Sequence, residues 1–270
     1  MYEGTTMNIQ WAIRKADPAG LDAIAAAGFA AVQLPVAAVM DLDEGAFRIA
    51  SAQWLRTGLS FKLFEAPLPP GVQVTEPGFN IYSWTEYLNT AMQRIASLGC
   101  TVLAWGDGRS RLLPVEGEVA THRENFHQFV FILCGIAERF GLTVCLEPLG
   151  PRRCNLLNSL SETADCIARV AKPNLAMLAS PRDLHEMHEP ATELLHYRHL
   201  VAHVHLENPL HMQQSRPPQA GDGADYQPFL KVLRDMDYAG VITLPAATTA
   251  EALRYCRSLL ATIEGNPAAS

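Results

Sequence analysis

The sequence predicts an α/β protein closed into a (β/α)8 TIM barrel, and three observations carry that expectation. Eight short strand-like runs recur along the chain, with helical patterns between them; such alternation calls for parallel pairing through helical crossovers. The length, 270 residues, is close to the roughly 250 that such a barrel occupies. Hydrophobic residues make up 49% of the chain, enough for one continuous core. An open doubly wound sheet is the competing arrangement. Its dinucleotide-binding form is disfavoured, because no G-x-G-x-x-G follows the first strand. One barrel domain is expected over residues 1–264, with a C-terminal tail over 265–270 that ends in "NPAAS".

Taken in order, the first strand is "NIQWAI" (8–13). In the following "DPAGLDAIAAAG", Asp17 reads as an N-cap, Pro18 as the first helical residue and Gly28 as the C-cap. "AVQLPV" (31–36) and "LSFKLFEA" (59–66) are the second and third strands, and the prolines of "APLPPGVQVTEPG" (66–78) then predict a long loop. A helix over 82–99 stops at Gly99 and leads to the fourth strand, "TVLAWGDG" (101–108). Helix 119–140 precedes the fifth strand, "LTVCLEPL" (142–149), and helix 162–171 precedes the sixth, "NLAMLAS" (174–180). Helix 187–197 comes before the seventh, "HLVAHVHLEN" (199–208), which is followed by a second long loop, "QQSRPPQAGDG" (213–223). Helix 226–236, the eighth strand "GVITLPA" (240–246) and helix 249–263 complete the ring. Long loops in a compact domain are often functional.

Composition removes several function classes. The net charge is −7, so the chain carries no basic footprint for nucleic acid. The six cysteines form no C-x-x-C pair, which argues against a structural zinc site and a disulfide framework. Buried thiols suit a reducing compartment. The N-terminal "MYEGTTMNIQ" has no basic patch followed by an apolar stretch. No apolar run reaches the roughly 18 residues of a membrane span. A cytoplasmic protein with no membrane partner is expected.

In such a barrel the chemistry sits at the C-terminal ends of the strands. Side-chain alternation puts Thr143, Cys145 and Glu147 on one face of the fifth strand, and His203, His205 and Glu207 on one face of the seventh. The apolar residues between them pack under the helices. Glu147, His205 and Glu207 are therefore the candidate catalytic groups, with His203 one layer deeper. A strand-end glutamate can also serve only to pair with an arginine. In "WGDGRSRLLP" (105–114), glycines allow close approach to a ligand, and Arg109 and Arg111 are suited to a phosphate, carboxylate or polyol. A plain glycine turn with solvated arginines accounts for the same residues. Asp107 is a further candidate proton carrier or substrate contact. Trp11 either stacks on a sugar face or fills the barrel.

The segments "AAAGFAAVQLP", "WGDGRSRLLP", "LEPLGPRRCNLLNS", "KPNLAML", "HVHLEN" and "GDGADYQPFLKVLRDMDYAGVITL" together resemble the xylose isomerase-like barrel family. The resemblance is to its sugar (phosphate) isomerase/epimerase branch, related to hydroxypyruvate isomerase and ketose 3-epimerases, and covers nearly the whole chain. It implies one divalent metal, manganese or magnesium, held by Glu, Asp, His and Glu from strands five to eight. Two carboxylates would move a proton beside a carbonyl that the metal polarises. Carried over residue by residue, the strand-five ligand falls on Glu147 and the strand-seven histidine on His205.

The remaining positions depart from that pattern. The strand-six aspartate reads Ser180 and the strand-eight glutamate reads Pro245, so neither is a ligand of the usual kind. An acidic residue expected six positions after the first ligand reads Arg153. An arginine expected six after the strand-seven histidine reads His211, with Arg216 close behind. Hard divalent cations need several oxygen donors, so a metal held by Glu147 and His205 alone would be weak. Asp183 and His185 are the nearest substitutes. Alternatively, Arg153 pairs with Glu147 and puts a fixed positive charge where the ion would sit.

Two functions follow as expectations. The first is a sugar or sugar-phosphate isomerase or epimerase with an eroded metal site, with Trp11, Asp107, Arg109, Arg153, His211 and Arg216 binding a small sugar, sugar phosphate or hydroxy acid. The second is an inactive barrel that binds a polyol, a sugar acid or a partner protein. The DNA-repair endonuclease branch of the same fold needs ligands for three zinc ions, which this chain does not supply. Relatives of this kind often assemble as dimers or tetramers, so a homo-oligomer is a further expectation.

Overall fold

Eight parallel strands close into one ring in chain order, in a computed structural model that describes residues 7–265. They are β1 Gln10–Arg14, β2 Ala31–Pro35, β3 Ser60–Glu65, β4 Val102–Trp105, β5 Thr143–Leu146, β6 Leu175–Ala179, β7 Val201–His205 and β8 Val241–Leu244. β1 pairs with β8, Trp11 opposite Ile242, so no strand edge is left open. All but β1 lie inside the predicted runs. β1 extends one residue further, to Arg14, and that residue proves central to the site. The expected tail "NPAAS" lies outside the described residues.

The helices are α1 Leu21–Ala26, α2 Ala37–Met40, α3 Glu44–Arg56, α4 Thr85–Ser97, α5 Val119–Glu138, α6 Leu160–Val170, α7 Pro181–Glu186, α8 Gln227–Asp235 and α9 Ala250–Ile263. Side-chain oxygens of Asp43, Ser159 and Thr249 accept from backbone N–H groups in the first turns of α3, α6 and α9. Asp17 does not cap α1. Its carboxylate accepts instead from the N–H of Ala19 at 2.8 Å, a local turn, and the helix begins only after Gly20. Gly28 does end that segment, at φ +93°. The α3 crossover is a helix that the strand pattern left unassigned. A continuous helix over 187–197 is not formed: α7 starts directly after β6 at Pro181, a residue pre-set for a first helical position. A separate 3-10 turn follows over Ala191–Leu195.

Alternation along the strands sorts two layers. Outward residues, among them Val32, Leu34, Phe64, Leu103, Trp105, Val144 and Leu146, form the large core beneath the helices. Inward residues form small clusters inside the ring: Ala12, Ala31, Leu63 and Val241, then Ala104, Cys145, Ala176 and Leu178. Trp11 belongs to the outer layer. Its expected places, at the mouth or inside the barrel, are both corrected, because the inward parity of β1 runs through Ala12 and Arg14. All six cysteines are buried and free. Among the described residues no helix is long and apolar enough to cross a membrane.

Candidate active site

The inward positions at the C-terminal ends of the strands carry Arg14, Gln33, Glu65, Glu147, Ser180, His205 and Thr243, with Glu207 two residues beyond β7. Glu147 and His205 meet. Nδ1 of His205 lies 2.9 Å from Oε1 of Glu147, and both side chains are almost wholly buried. The Glu147 backbone extends the ladder by donating to Trp105 at 3.2 Å. Its own carbonyl accepts from the buried Arg111 guanidinium. Gly106 faces the carboxylate: a Cβ there would lie 1.8 Å from Oε2 of Glu147. The glycine makes room for the glutamate.

The imidazole has partners at both nitrogens. Nδ1 meets Oε1 of Glu147, and Nε2 lies 3.1 Å from Nε2 and 3.3 Å from Oε1 of Gln33. Gln33 also donates to Oε2 of Glu65 at 2.6 Å, and its Oε1 accepts from Nε2 of His203 at 3.0 Å. Arg14 lies against the same ring, with Nη2 2.6 Å from Nδ1 and 3.1 Å from Nε2. Burial, with the Arg14 charge beside it, holds His205 far below the ordinary histidine range. Burial and the neighbouring His205 do the same to His203. Both rings are neutral.

Arg14 is the hub of the charges. Its Nε lies 3.2 Å from Oε2 of Glu65, and its Nη1 lies 3.2 Å from Oε1 of Glu207. Burial would lower its pKa, but Glu65, Glu207 and Glu147 outweigh that and hold it protonated. Glu207 has a second cation, Arg182, at 2.8 Å. Burial pushes the Glu207 carboxyl up, yet Arg14, His205 and Arg182 together hold it below the usual carboxylate range. Glu65 goes the other way. Burial raises it, against the opposing pull of Arg14 and Gln33.

Arg153 does not pair with Glu147. It forms an ion pair with Asp183, whose carboxylate also accepts from the Gly150 N–H at 3.0 Å. Asp183 is thereby held as the partner of an arginine rather than left to substitute as a ligand. Asp107 and Arg109 stay on the loop after β4, where the Asp107 carboxylate accepts from the Arg109 N–H at 3.0 Å. His211 and Arg216 line a separate cavity of about 400 Å3 with Arg152 and Met212. Arg182 joins the two regions, since its Nη2 donates to the Met212 carbonyl at 2.6 Å. Reasoning from the sequence missed Arg14, Gln33, Glu65 and Arg182. The first three were findable as polar residues of inward parity at the ends of the first three strands.

The xylose isomerase-like TIM barrel family model matches residues 21–259. This chain belongs to that family. Among solved structures of similar fold, a D-psicose 3-epimerase studied with D-fructose superposes with a TM-score of 0.77 at 12% identity, covering 93% of this chain and 99% of that one. A D-allulose 3-epimerase from Methylomonas sp. gives 0.74 at 16% identity, with 97% and 96% covered. The 3-keto-D-glucoside 4-epimerase of E. coli gives 0.73 at 18% identity, with 96% and 99% covered. Likeness at this identity establishes the fold. No curated protein matches the chain in sequence.

The donors of this family member do not fit a divalent cation. At the four positions that the family resemblance assigns to ligands stand Glu147, Ser180, His205 and Pro245. The Ser180 hydroxyl is buried with no partner among the described residues, but it is a neutral and weak donor, and proline has none. Both ring nitrogens of His205 lie against the Arg14 cation. Among the described residues no three His, Cys, Asp or Glu side chains are grouped to hold an ion. Manganese and magnesium favour octahedral sites built mainly from oxygen donors, and a guanidinium at the same spot repels them.

Proposed function

We propose that this chain is a sugar or sugar-phosphate isomerase or epimerase that moves a proton beside a carbonyl, with an eroded metal site whose positive charge is replaced by Arg14. One observation carries the reading. A guanidinium lies against the Glu147–His205 pair at the mouth of the barrel, where the family's chemistry needs a fixed cation. Removing a proton next to a carbonyl creates an enediolate, and a preorganised cation in a water-poor site stabilises the developing oxyanion. Glu147, His205 and Glu207 are the candidate catalytic machinery in this reading. They supply the buried charge and hydrogen bonds that orient Arg14. Arg153 and the rim residues Asp107, Arg109, His211 and Arg216 are the candidate contacts to the substrate's hydroxyl, carboxylate or phosphate groups.

The three solved structures named above are sugar epimerases, which supports a small sugar as the substrate class. A cytoplasmic location belongs to the same proposal, on the strength of six free buried thiols. The test is deuterium uptake from solvent into a panel of aldoses, ketoses, their phosphates and hydroxy acids. Uptake into at least one compound is expected. Silence across the whole panel rules the proposal out.

A second reading has its own support: Glu147 and Glu207 are both buried and both occupied by partners. A barrel in that state would bind a polyol or sugar acid without turning it over. Thermal stabilisation by such a compound, with no deuterium uptake into it, would select this reading.

A further inference from the structure

The isomerase reading leaves open which carboxylate meets the substrate, and accessibility separates the candidates. Four carboxylates lie deep in the mouth, while Asp107 stands on the loop after β4 with its carboxylate accepting from the Arg109 N–H. The side chains of Glu147, Glu207 and Asp183 are 3%, 4% and 2% exposed, whereas that of Glu65 is 23% exposed. A general base must come within roughly 2.6–3.2 Å of the proton it takes. Glu207 is held by Arg14 and Arg182, Asp183 by Arg153 and Glu147 by His205. Glu65 is the most accessible of the four. Its Oε2 is held by Gln33 and Arg14, and no described residue bonds its Oε1. Arg14, 22% exposed, lies beside it on the same side of the mouth.

Resting on the isomerase reading, we infer that Glu65 is the carboxylate that exchanges the proton with substrate, and that Arg14 is the cation facing the developing oxyanion. Glu147, His205 and Glu207 then act as positioning residues behind Arg14. In the step itself, the C–H bond next to the carbonyl breaks and its proton passes to Oε1 of Glu65. The bonding pair becomes the C=C bond of an enediolate, and the carbonyl π pair moves onto oxygen against Arg14. Glu65 returns the proton to the neighbouring carbon while the hydroxyl proton passes between the two oxygens. One carboxylate works on one face of the sugar, so the net change is aldose–ketose isomerisation and not inversion. Burial raises the Glu65 carboxyl, which suits a group that must both take and return a proton.

The experiment compares the full chain with Glu65→Gln, Glu65→Asp and Glu147→Gln on a substrate that takes up deuterium. Glu65→Gln is expected to lower the exchange rate roughly a thousandfold with KM little changed and melting intact. Glu65→Asp is expected to recover part of the rate with a shifted pH profile. Glu147→Gln is expected to lower exchange only together with the melting temperature, which Glu65→Gln leaves intact. Exchange that survives in Glu65→Gln overturns this assignment and leaves the isomerase reading standing. A wild-type protein that exchanges nothing overturns both. Labelling with glycidol, a small epoxide polyol, followed by peptide mapping needs no turnover. An ester on Glu65 ahead of Glu147 and Glu207 supports the assignment; label on either of those first, or on none of the three, overturns it.

Discussion

Arg14 and His205, 191 residues apart in sequence, lie against each other at the barrel mouth, with Nη2 of the arginine 2.6 Å from Nδ1 of the imidazole. Two positive charges cannot be held at that distance in a buried site. The arginine has three carboxylates around it and stays charged, so the imidazole stays neutral. This pair sets both the chemistry and the pH response of the protein.

Stability should fall on acidification. His203 and His205 have folded pKa values far below about 6.5, so below that value the unfolded chain binds more protons than the native one. Their contribution is complete above about 6.5 and is lost progressively as pH drops towards their folded values. Glu65 and Asp183, with raised values, act in the opposite sense: their cost grows as pH rises above the ordinary carboxylate range. The His203→Gln variant isolates the histidine effect. Its melting temperature should fall less than that of the wild type between pH 7 and pH 5, and parallel curves would contradict the assignment.

Gly106→Ala should disturb the site from outside it. The new methyl would stand 1.8 Å from the Glu147 carboxylate, so either the strand end or Glu147 must shift. Overpacking of this kind costs about 1–3 kcal/mol. Chemical denaturation should show that loss together with weakened deuterium exchange. An unperturbed midpoint would mean that the carboxylate moves freely.

Replacing Arg14 by Met should be more damaging than its position at a strand end suggests. Glu65 would lose its cation and Glu207 one of its two. Breaking a buried pair by removing one partner costs about 3–5 kcal/mol, and Arg14→Met should fall near the lower figure because Arg182 still neutralises Glu207. Arg14→Lys should restore most of the stability but little of the exchange, since a compact ammonium cannot span Glu65, Glu207 and the ring at once. Equal exchange in wild type and Arg14→Lys would show that the fork geometry is irrelevant.

Metal should make no difference. Treatment with EDTA, or addition of manganese or magnesium, is expected to leave both melting temperature and deuterium exchange unchanged. A ligand that binds only the native state at a hundred times its Kd adds about 2.7 kcal/mol, which calorimetry resolves readily. A manganese-dependent rise of several degrees would refute the argument from the donor set.

Much of this molecule was legible from local pattern. The alternation of strand and helix pointed to a closed barrel over an open sheet, and period-two parity placed Glu147, His205 and Glu207 on inward faces, because a strand's facing depends only on its neighbours. On β1, ending the strand at Ile13 left Trp11 as the aromatic of interest and Arg14 outside the element. The helix expected over 187–197 begins early instead, because a proline directly follows the strand. What the sequence could not decide was which charges meet. Closure brings β1, β2 and β3 against β5 and β7, so that Arg14 joins Glu207 and His205, Gln33 bridges Glu65 and His205, and Arg153 takes Asp183 instead of Glu147. Those choices follow from desolvation. A charge removed from water must find its partner among whatever groups the ring brings within reach, and distance along the chain has no bearing on it.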